Sequence, residues 1–439
     1  MNNLRLLAVL LSAALSGSGM CAFSQDSTVI TLERLFESAE RNSVQLRPSF
    51  SAEKGASHEI SVARAERLPD INASLSFSCI GDGFTTKRNF SDRQKAPIPH
   101  YGNAFSFSVI QPVYAGGAIT SGIQLAELRL TASRYATELQ RDNIRFQLTG
   151  FYLDIYKYTN LRSVVHKNIS RAKQVLDEMR ARYEQGVALQ NDIIRYELLV
   201  SNLELQLVKI NNTIDILNNN LVTIAGMPAG TVIVPDSAIL EKALPLQGET
   251  TWQAEASVNS PLLKLAQSKV DISRKSEQII KAGRLPKIGL QAGWSIDGPI
   301  LVEVPPINRN LSYWFAGVGV SYNISALFKL NKSVSQSRAA TLHAVDELEA
   351  AKENTELAVR ADYIRYLESY EELNTQHKSV ELAERNYNTV FTRYSAGMAL
   401  ISDMLDAANS KLDAEQQLVN ARINIIYYYY KLLLTSGKI

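Results

Sequence analysis

Cysteine is almost missing from this chain. Cys21 and Cys79 are the two present in 439 residues. Cys21 falls inside a segment that reads as an export signal, so one thiol is left after processing. An intrachain disulfide or a thiolate metal site is thereby excluded. Long apolar runs are missing too. Past the signal no stretch reaches the roughly 18 apolar residues of a membrane-spanning helix. Net charge is small, at +2, and Lys and Arg form no dense block, which gives no reason to expect nucleic acid as a partner. His58, His100, His166, His343 and His377 show no metal-ligand spacing. The motifs GxxxxGKS/T, HExxH, CxxC and GxSxG are absent. No metal, cofactor or catalytic residue is expected, and the chain does not read as an enzyme.

Proline is absent from 115–185 and from 326–396. Each stretch reads as one very long helix. At 1.5 Å rise per residue, about 70 residues reach on the order of 100 Å. Such a helix must lie beside similar helices, as in a coiled coil.

What is present begins with the signal, residues 1–24. Arg5 is its positive end, Leu6 to Leu15 its apolar core, and Ala22-Phe23-Ser24 the small-x-small site before Gln25. Ser18, Gly19 and Met20 lack the leucine expected ahead of a lipidated cysteine, so lipidation of Cys21 is not expected. The rest is written twice. "RYEQGVALQND" from Arg182 recurs as "RYSAGMALISD" from Arg393, 211 residues later. "ERLPDINASLSFS" from Glu66 is echoed by "GRLPKIGLQAGWS" from Gly283, and Tyr152 by Tyr363. A period this long is a duplication of a whole half rather than a solenoid unit. The halves run over 25–226 and 252–439. Residues 227–251, rich in Gly and Pro, read as a linker with a short strand at Val232 to Val234.

Each half has one order. A helical stretch, Thr31 to Arg67 or Trp252 to Arg284, is stopped by Leu68-Pro69 or Leu285-Pro286. Strands follow at about 70–80 and 103–114, and at about 287–296 and 312–324. Ile71, Ala73, Leu75, Phe77 and Cys79 alternate with Asn72, Ser74, Ser76 and Ser78. Phe105, Phe107 and Val109 alternate with Ser106 and Ser108. Ile288, Leu290, Ala292, Trp294 and Ile296 alternate with Gly289, Gln291, Gly293 and Ser295. Trp314, Ala316, Val318, Val320 and Tyr322 alternate less cleanly with Phe315, Gly317, Gly319 and Ser321. Runs of about 9–11 residues suit tilted strands crossing a bilayer, apolar outside and wet inside. Polar loops, Gly81 to Gly102 and Asp297 to Leu311, join each pair. Four strands cannot close a barrel, and open edges do not survive in lipid. The chain must therefore oligomerise: three copies supply twelve strands and twelve packed helices, and two copies also satisfy closure.

The repeated motif lies at the far end of the long helices, as tips at about 183–192 and 394–403. Gly186 and Gly397 suit the left-handed helix end. Asn191 or Asp192, and Ser402 or Asp403, suit the cap of the next helix. Val187, Ala188 and Leu189, with Met398, Ala399, Leu400 and Ile401, put apolar side chains where a solvated turn has none. They dock a partner or pack on the neighbouring tip.

These features resemble the TolC-like outer-membrane efflux family over the whole mature chain: the duplicated halves, the "RLP" switch, "QPVYAGG" from Gln111, and the "RYxxGxxxxxD" hairpins. The resemblance implies a mostly α fold with transmembrane β, a homotrimer with a twelve-stranded barrel in the Gram-negative outer membrane, and an α-helical tunnel through the periplasm. It implies a periplasmic adaptor (membrane-fusion) protein and an inner-membrane pump of RND, ABC or MFS type as partners, beside outer-membrane lipid. Small molecules or polypeptides would pass through, as in efflux or type I secretion. "SDMLDAANS" from Ser402 resembles the family's constricted end, which implies that Asp403 and Asp406 ring the pore. Residues three apart share a helix face, and such a ring would favour cations. On its own the spacing also fits a cap and a first-turn dipole partner. In the family a tyrosine and an arginine of the second hairpin bond to the first. Tyr394 matches the tyrosine and Asp192 its acidic partner, while Ala399 stands where the arginine is usual. Asn323 replaces the proline of Pro112, and Leu327-Phe328 the pair Gly116-Gly117. The Tyr427 to Tyr430 tetrad reads as helix packing. The rival reading is a structural periplasmic coiled-coil protein without transport.

Overall fold

The computed structural model describes residues 27–241, 244–303 and 306–439. The export signal and Cys21 lie outside them. In chain order the described elements are β1 (Ser27–Ile30), α1 (Leu32–Asn42), α2 (Arg47–Ala65), β2 (Asp70–Cys79), β3 (Gly83–Thr85), β4 (Gln94–Ala96), β5 (Tyr101–Ala115), α3 (Ala118–Glu184), α4 (Gln190–Ala225), β6 (Val232–Pro235), α5 (Ala238–Glu241), α6 (Glu249–Asn259), α7 (Pro261–Ala282), β7 (Lys287–Gly298), β8 (Leu311–Ser321), α8 (Ala326–Ser395) and α9 (Ile401–Ser436). They divide between two units.

The sheet unit comprises Pro48–Leu139 and Asn259–Thr355. Its centre is a four-stranded sheet in the order β2-β5-β7-β8, antiparallel throughout. The register lines up like with like. Leu75 faces Phe105, and Phe105 faces Ile296; Ser74 faces Ser106, and Ser106 faces Ser295. The sequence alternation thus becomes one apolar face and one polar face across β2, β5 and β7, and less cleanly on β8, where Ser312 faces Ile296 and Phe315 faces Gly293. Phe105 and Trp294 meet edge to face at 5.5 Å on the apolar side, and the Ser74 and Ser106 hydroxyls bond at 2.8 Å on the polar side.

The passage from sheet to helix differs between the halves. At Gly116 φ is +64°, and a Cβ there would lie 2.6 Å from the Ala282 carbonyl oxygen. Glycine is required by both the conformation and the close approach. In the second half, Ala326 N–H donates to the Asn323 carbonyl at 3.0 Å, and Ser325 Oγ to Asn323 Oδ1 at 2.7 Å. A bonded turn there does what left-handed glycines do in the first half. β8 accordingly stops at Ser321, short of the expected 324.

The helical stretches that open the halves are corrected by the structure. Each is two helices. α1 ends at Asn42 and α2 starts at Arg47; α6 ends at Asn259 and α7 starts at Pro261. Pro48 and Pro261 explain both breaks: proline disfavours helix in the residue before it but fits the first turn of a new one. The loop after β2 holds a short hairpin, β3 against β4, that the polar composition did not announce.

The helix unit comprises the described residues within Met1–Arg47, Gln140–Val258 and Glu356–Ile439. Leu35, Leu148, Tyr152, Leu221 and Ala225 form one buried cluster. β1 pairs in parallel with β6. Tyr152 ties this pair down, donating to the Ile30 carbonyl at 3.0 Å and accepting from Asp236 N–H at 2.6 Å. A second cluster gathers Trp252, Val359, Tyr366 and Leu432. The Tyr427–Tyr430 tetrad packs inside the chain: Tyr427 against Phe146 at 5.4 Å and Tyr429 against Trp252 at 6.3 Å. Burial pushes the Tyr430 phenol up to about 12.

Candidate functional site

Both tips have the same backbone. α3 ends on Gly186 at φ +78° and α8 on Gly397 at φ +72°. Val187 N–H reaches back to the Arg182 carbonyl at 3.0 Å, and Met398 N–H to the Arg393 carbonyl at 2.8 Å. These left-handed ends satisfy carbonyls that the helix leaves free. Val187, Leu189, Met398 and Leu400 stand exposed around the two turns, while Ala188 and Ala399 are half-buried.

Of the expected caps, Asp403 alone bonds the helix start among the described residues, and it does so from inside the helix. The N-cap residues are Leu189 and Leu400, and Asp192 and Asp403 stand at the third helical position. From there the Asp403 carboxylate accepts the Leu400 N–H at 3.1 Å, and its charge favours the helix start. Asp403 and Asp406 are exposed on one face, with Met404 and Ala407 buried on the other. The Asp406 carboxylate makes no hydrogen bond or ion pair among the described residues. The position equivalent to Asp406 in the first half is Arg195, also exposed, which the sequence reading passed over.

Among the described residues two hydrogen bonds join the tips. Tyr394 Oη donates to Asp192 Oδ2 at 3.5 Å, a long bond at the edge of usefulness. Burial, then the Asp192 charge, holds the Tyr394 phenol above its ordinary value. Arg182 Nη2 donates to the Ser395 carbonyl. With Ala399 lacking a side-chain donor, an arginine from the first tip reaches the second. The signal for it was in the repeated motif itself: arginine heads both copies.

Behind the tips the helices share a core of Tyr196, Leu203, Met179, Tyr387 and Met404. Burial first, then Tyr387, raises the Tyr196 phenol. Lys411 is 2% exposed; its Nζ lies 2.9 Å from Glu384 and 5.1 Å from the Tyr387 ring. The ammonium bond holds the Glu384 carboxyl below its ordinary range. Asn168 Nδ2 donates to Glu415 at 2.7 Å. Buried lysine in this setting is tolerated because it is paired.

The second candidate surface is the sheet. Phe77 is 78% exposed, Trp314 77%, and Leu75, Val318 and Val320 more than half. These side chains share the apolar face. A contiguous apolar surface this bare marks contact with another protein or with lipid. No described helix is long and apolar enough to cross a membrane. Among the described residues no cluster could hold a metal ion.

Comparison with known proteins agrees with this geometry. The family model for outer membrane efflux proteins matches residues 35–227 and 252–427. The outer membrane protein TolC of Escherichia coli is 21% identical over 436 residues, covering 96% of this chain and 84% of that one. The outer membrane efflux protein BepC of Brucella suis is 20% identical, covering 98% and 90%. The crystal structure of the outer membrane protein VceC from Vibrio cholerae superposes with a TM-score of 0.75 at 16% identity, covering 92% of this chain and 96% of that one.

Proposed function

The chain belongs to the outer membrane efflux protein family, and from that premise we propose that it is the outer-membrane exit duct of a tripartite efflux or type I secretion assembly. The observation that carries the reading is the two-faced sheet. Its apolar face is bare and its polar face is lined mainly with Ser, Gly, Asn and Gln, which is the wall of a barrel with lipid outside and water inside. Four strands leave two open edges, which lipid does not tolerate. A homotrimer closes them into twelve strands, and the long helices of three copies line a periplasmic tunnel.

Transport here breaks and makes no bond. The duct passes small molecules or polypeptides delivered by an inner-membrane pump through a periplasmic adaptor. The apolar tip residues Val187, Leu189, Met398 and Leu400 are the adaptor's landing surface. Asp403 and Asp406 form the gate. In a ring of six tips, Asp406 from second hairpins alternates with Arg195 from first hairpins. The carboxylates favour cations, and the guanidinium groups limit that preference.

Single-channel recording in planar bilayers tests the reading, with the wild type beside an Asp403→Ala/Asp406→Ala variant. A small, cation-selective conductance that loses selectivity in the variant supports the duct and the gate. A conductance of unchanged selectivity keeps the duct and returns both aspartates to helix-start roles. Well-folded protein that conducts nothing, and that osmotic shock releases without detergent, would instead be a periplasmic structural rod.

A further inference from the structure

The polar face of the sheet has an exception at its edge. Two rows of directly opposed residues cross the four strands: Asn72, Ser108, Gly293 and Phe315, and, beside it, Ser74, Ser106, Ser295 and Tyr313. Each row is small and polar until it reaches β8, where it ends in an aromatic ring. Elsewhere on this face the large apolar side chains are Ile110, opposite the first residue of β2, and Leu311, the first residue of β8. Phe315 and Tyr313 are mid-strand.

The placement is built into the sheet. Gly293 is buried, and a Cβ on it would lie 2.6 Å from Phe315 Cε1 and 2.8 Å from Cζ. The glycine is the seat of the ring. Ser295, opposite Tyr313, has a buried hydroxyl with no hydrogen-bond partner among the described residues. About half of each aromatic side chain remains exposed. A ring facing a water-filled lumen is unfavourable by itself, and packing on Gly293 covers part of one ring only.

We propose that Tyr313 and Phe315 form an aromatic contact band on the lumen wall that holds planar aromatic or organic-cation groups of solutes in transit. An aromatic face attracts cations and stacks on other rings, and the Tyr313 hydroxyl adds a hydrogen-bonding group beside it. In the trimer the band repeats three times around the lumen, next to the strand that closes the barrel. The inference rests on the duct reading and adds a chemical preference to it.

Benzyltrimethylammonium and tetramethylammonium carry the same charge and differ by a ring. Their block of single-channel current is compared in the wild type and in the Phe315→Ser/Tyr313→Ser double variant, the Tyr313→Ser single variant and Gly293→Ala. In the wild type the benzyl cation blocks at a concentration about three to five times lower. The double variant brings that ratio to about one and the single variant lowers it. Gly293→Ala lowers it with both rings still present. A wild-type channel that does not distinguish the two cations overturns the band while leaving the duct intact, as does an unchanged ratio in conducting variants. If the double variant fails to assemble, Tyr313→Ser and Gly293→Ala decide by the same ratio. Folded wild-type protein without conductance overturns the duct reading, and the band with it.

Discussion

The two helical tips share one backbone and differ in what their side chains do. Gly186 and Gly397 turn the chain identically, and the leucines at 189 and 400 start the next helices with the same extended conformation. Equivalent side chains then divide the work. Arg182 bonds across to the second tip, while Arg393 is exposed. Tyr394 bonds across to the first tip, while its equivalent Tyr183 is 45% exposed. Asp192 accepts the tyrosine and Asp403 caps its own helix. Just behind the tips the difference becomes a charge reversal. Lys173 pairs with Glu204 at 2.7 Å in the first hairpin; at the position of Lys173 the second has Glu384, paired with Lys411 at 2.9 Å. A duplicated fold preserves what the backbone needs and frees the side chains to build an asymmetric joint.

The contacts across the joint give the largest expected effect. Removing them with Arg182→Ala/Tyr394→Phe costs about 2 kcal/mol per copy, the charged bond being the larger part. That corresponds to more than a tenfold shift in the closed-to-open ratio, read as a rise in open probability in planar bilayers. An unchanged open probability would mean that the joint forms but does not hold the tip shut.

Next is the reversed pair. Lys411→Ala removes both a buried stem and the charge-assisted bond, and thermal unfolding in detergent is expected to show a loss of about 2 kcal/mol. Lys173→Ala, on an exposed pair, should cost under about 1 kcal/mol. Acid separates the two further. The Glu384 carboxyl is held below its ordinary range, so its contribution is complete above that range. It is lost as pH falls through the depressed folded value. Glu384→Gln removes that part of the acid dependence. Equal effects from both lysines would erase the distinction between the hairpins.

A smaller effect is expected where the halves oppose each other in charge. Arg195→Asp makes the first tip resemble the second at the position of Asp406. Cation-over-anion permeability from reversal potentials is expected to rise about two- to threefold, with conductance little changed. An unchanged cation preference would place Arg195 away from the pathway.

Much of this was legible in the sequence where one residue type forces one conformation. Leu68-Pro69 and Leu285-Pro286 marked the helix-to-strand switches, Gly186 and Gly397 the tips, and the serine alternation the two faces of the sheet. What stayed hidden depends on distance between elements. Pro48 and Pro261 stood in plain view, but a proline is also compatible with a helix's first turn, so it does not by itself mark a break. Arg182 looked like any helix-end arginine until Ser395 lay beside it. The β3–β4 hairpin has three residues a side, too few for a pattern.

The smallest effect tests the comparison most narrowly. Tyr183 and Tyr394 occupy equivalent positions, and one hydroxyl distinguishes each from phenylalanine. The Tyr394 bond to Asp192 is 3.5 Å long, and a bond of that length between partly wet groups contributes about 0.5 kcal/mol. Tyr394→Phe should therefore lower the unfolding free energy slightly and raise open probability by about twofold, and Asp192→Asn should do much the same. Adding the two substitutions together should bring little more, because they remove one interaction. Within a single chain the Tyr183 hydroxyl has no partner among the described residues, so Tyr183→Phe should leave both measurements unchanged. An effect from Tyr183→Phe as large as that from Tyr394→Phe would show that the first-tip tyrosine finds its acid on a neighbouring copy, and that the joint is symmetric after all once the ring has closed.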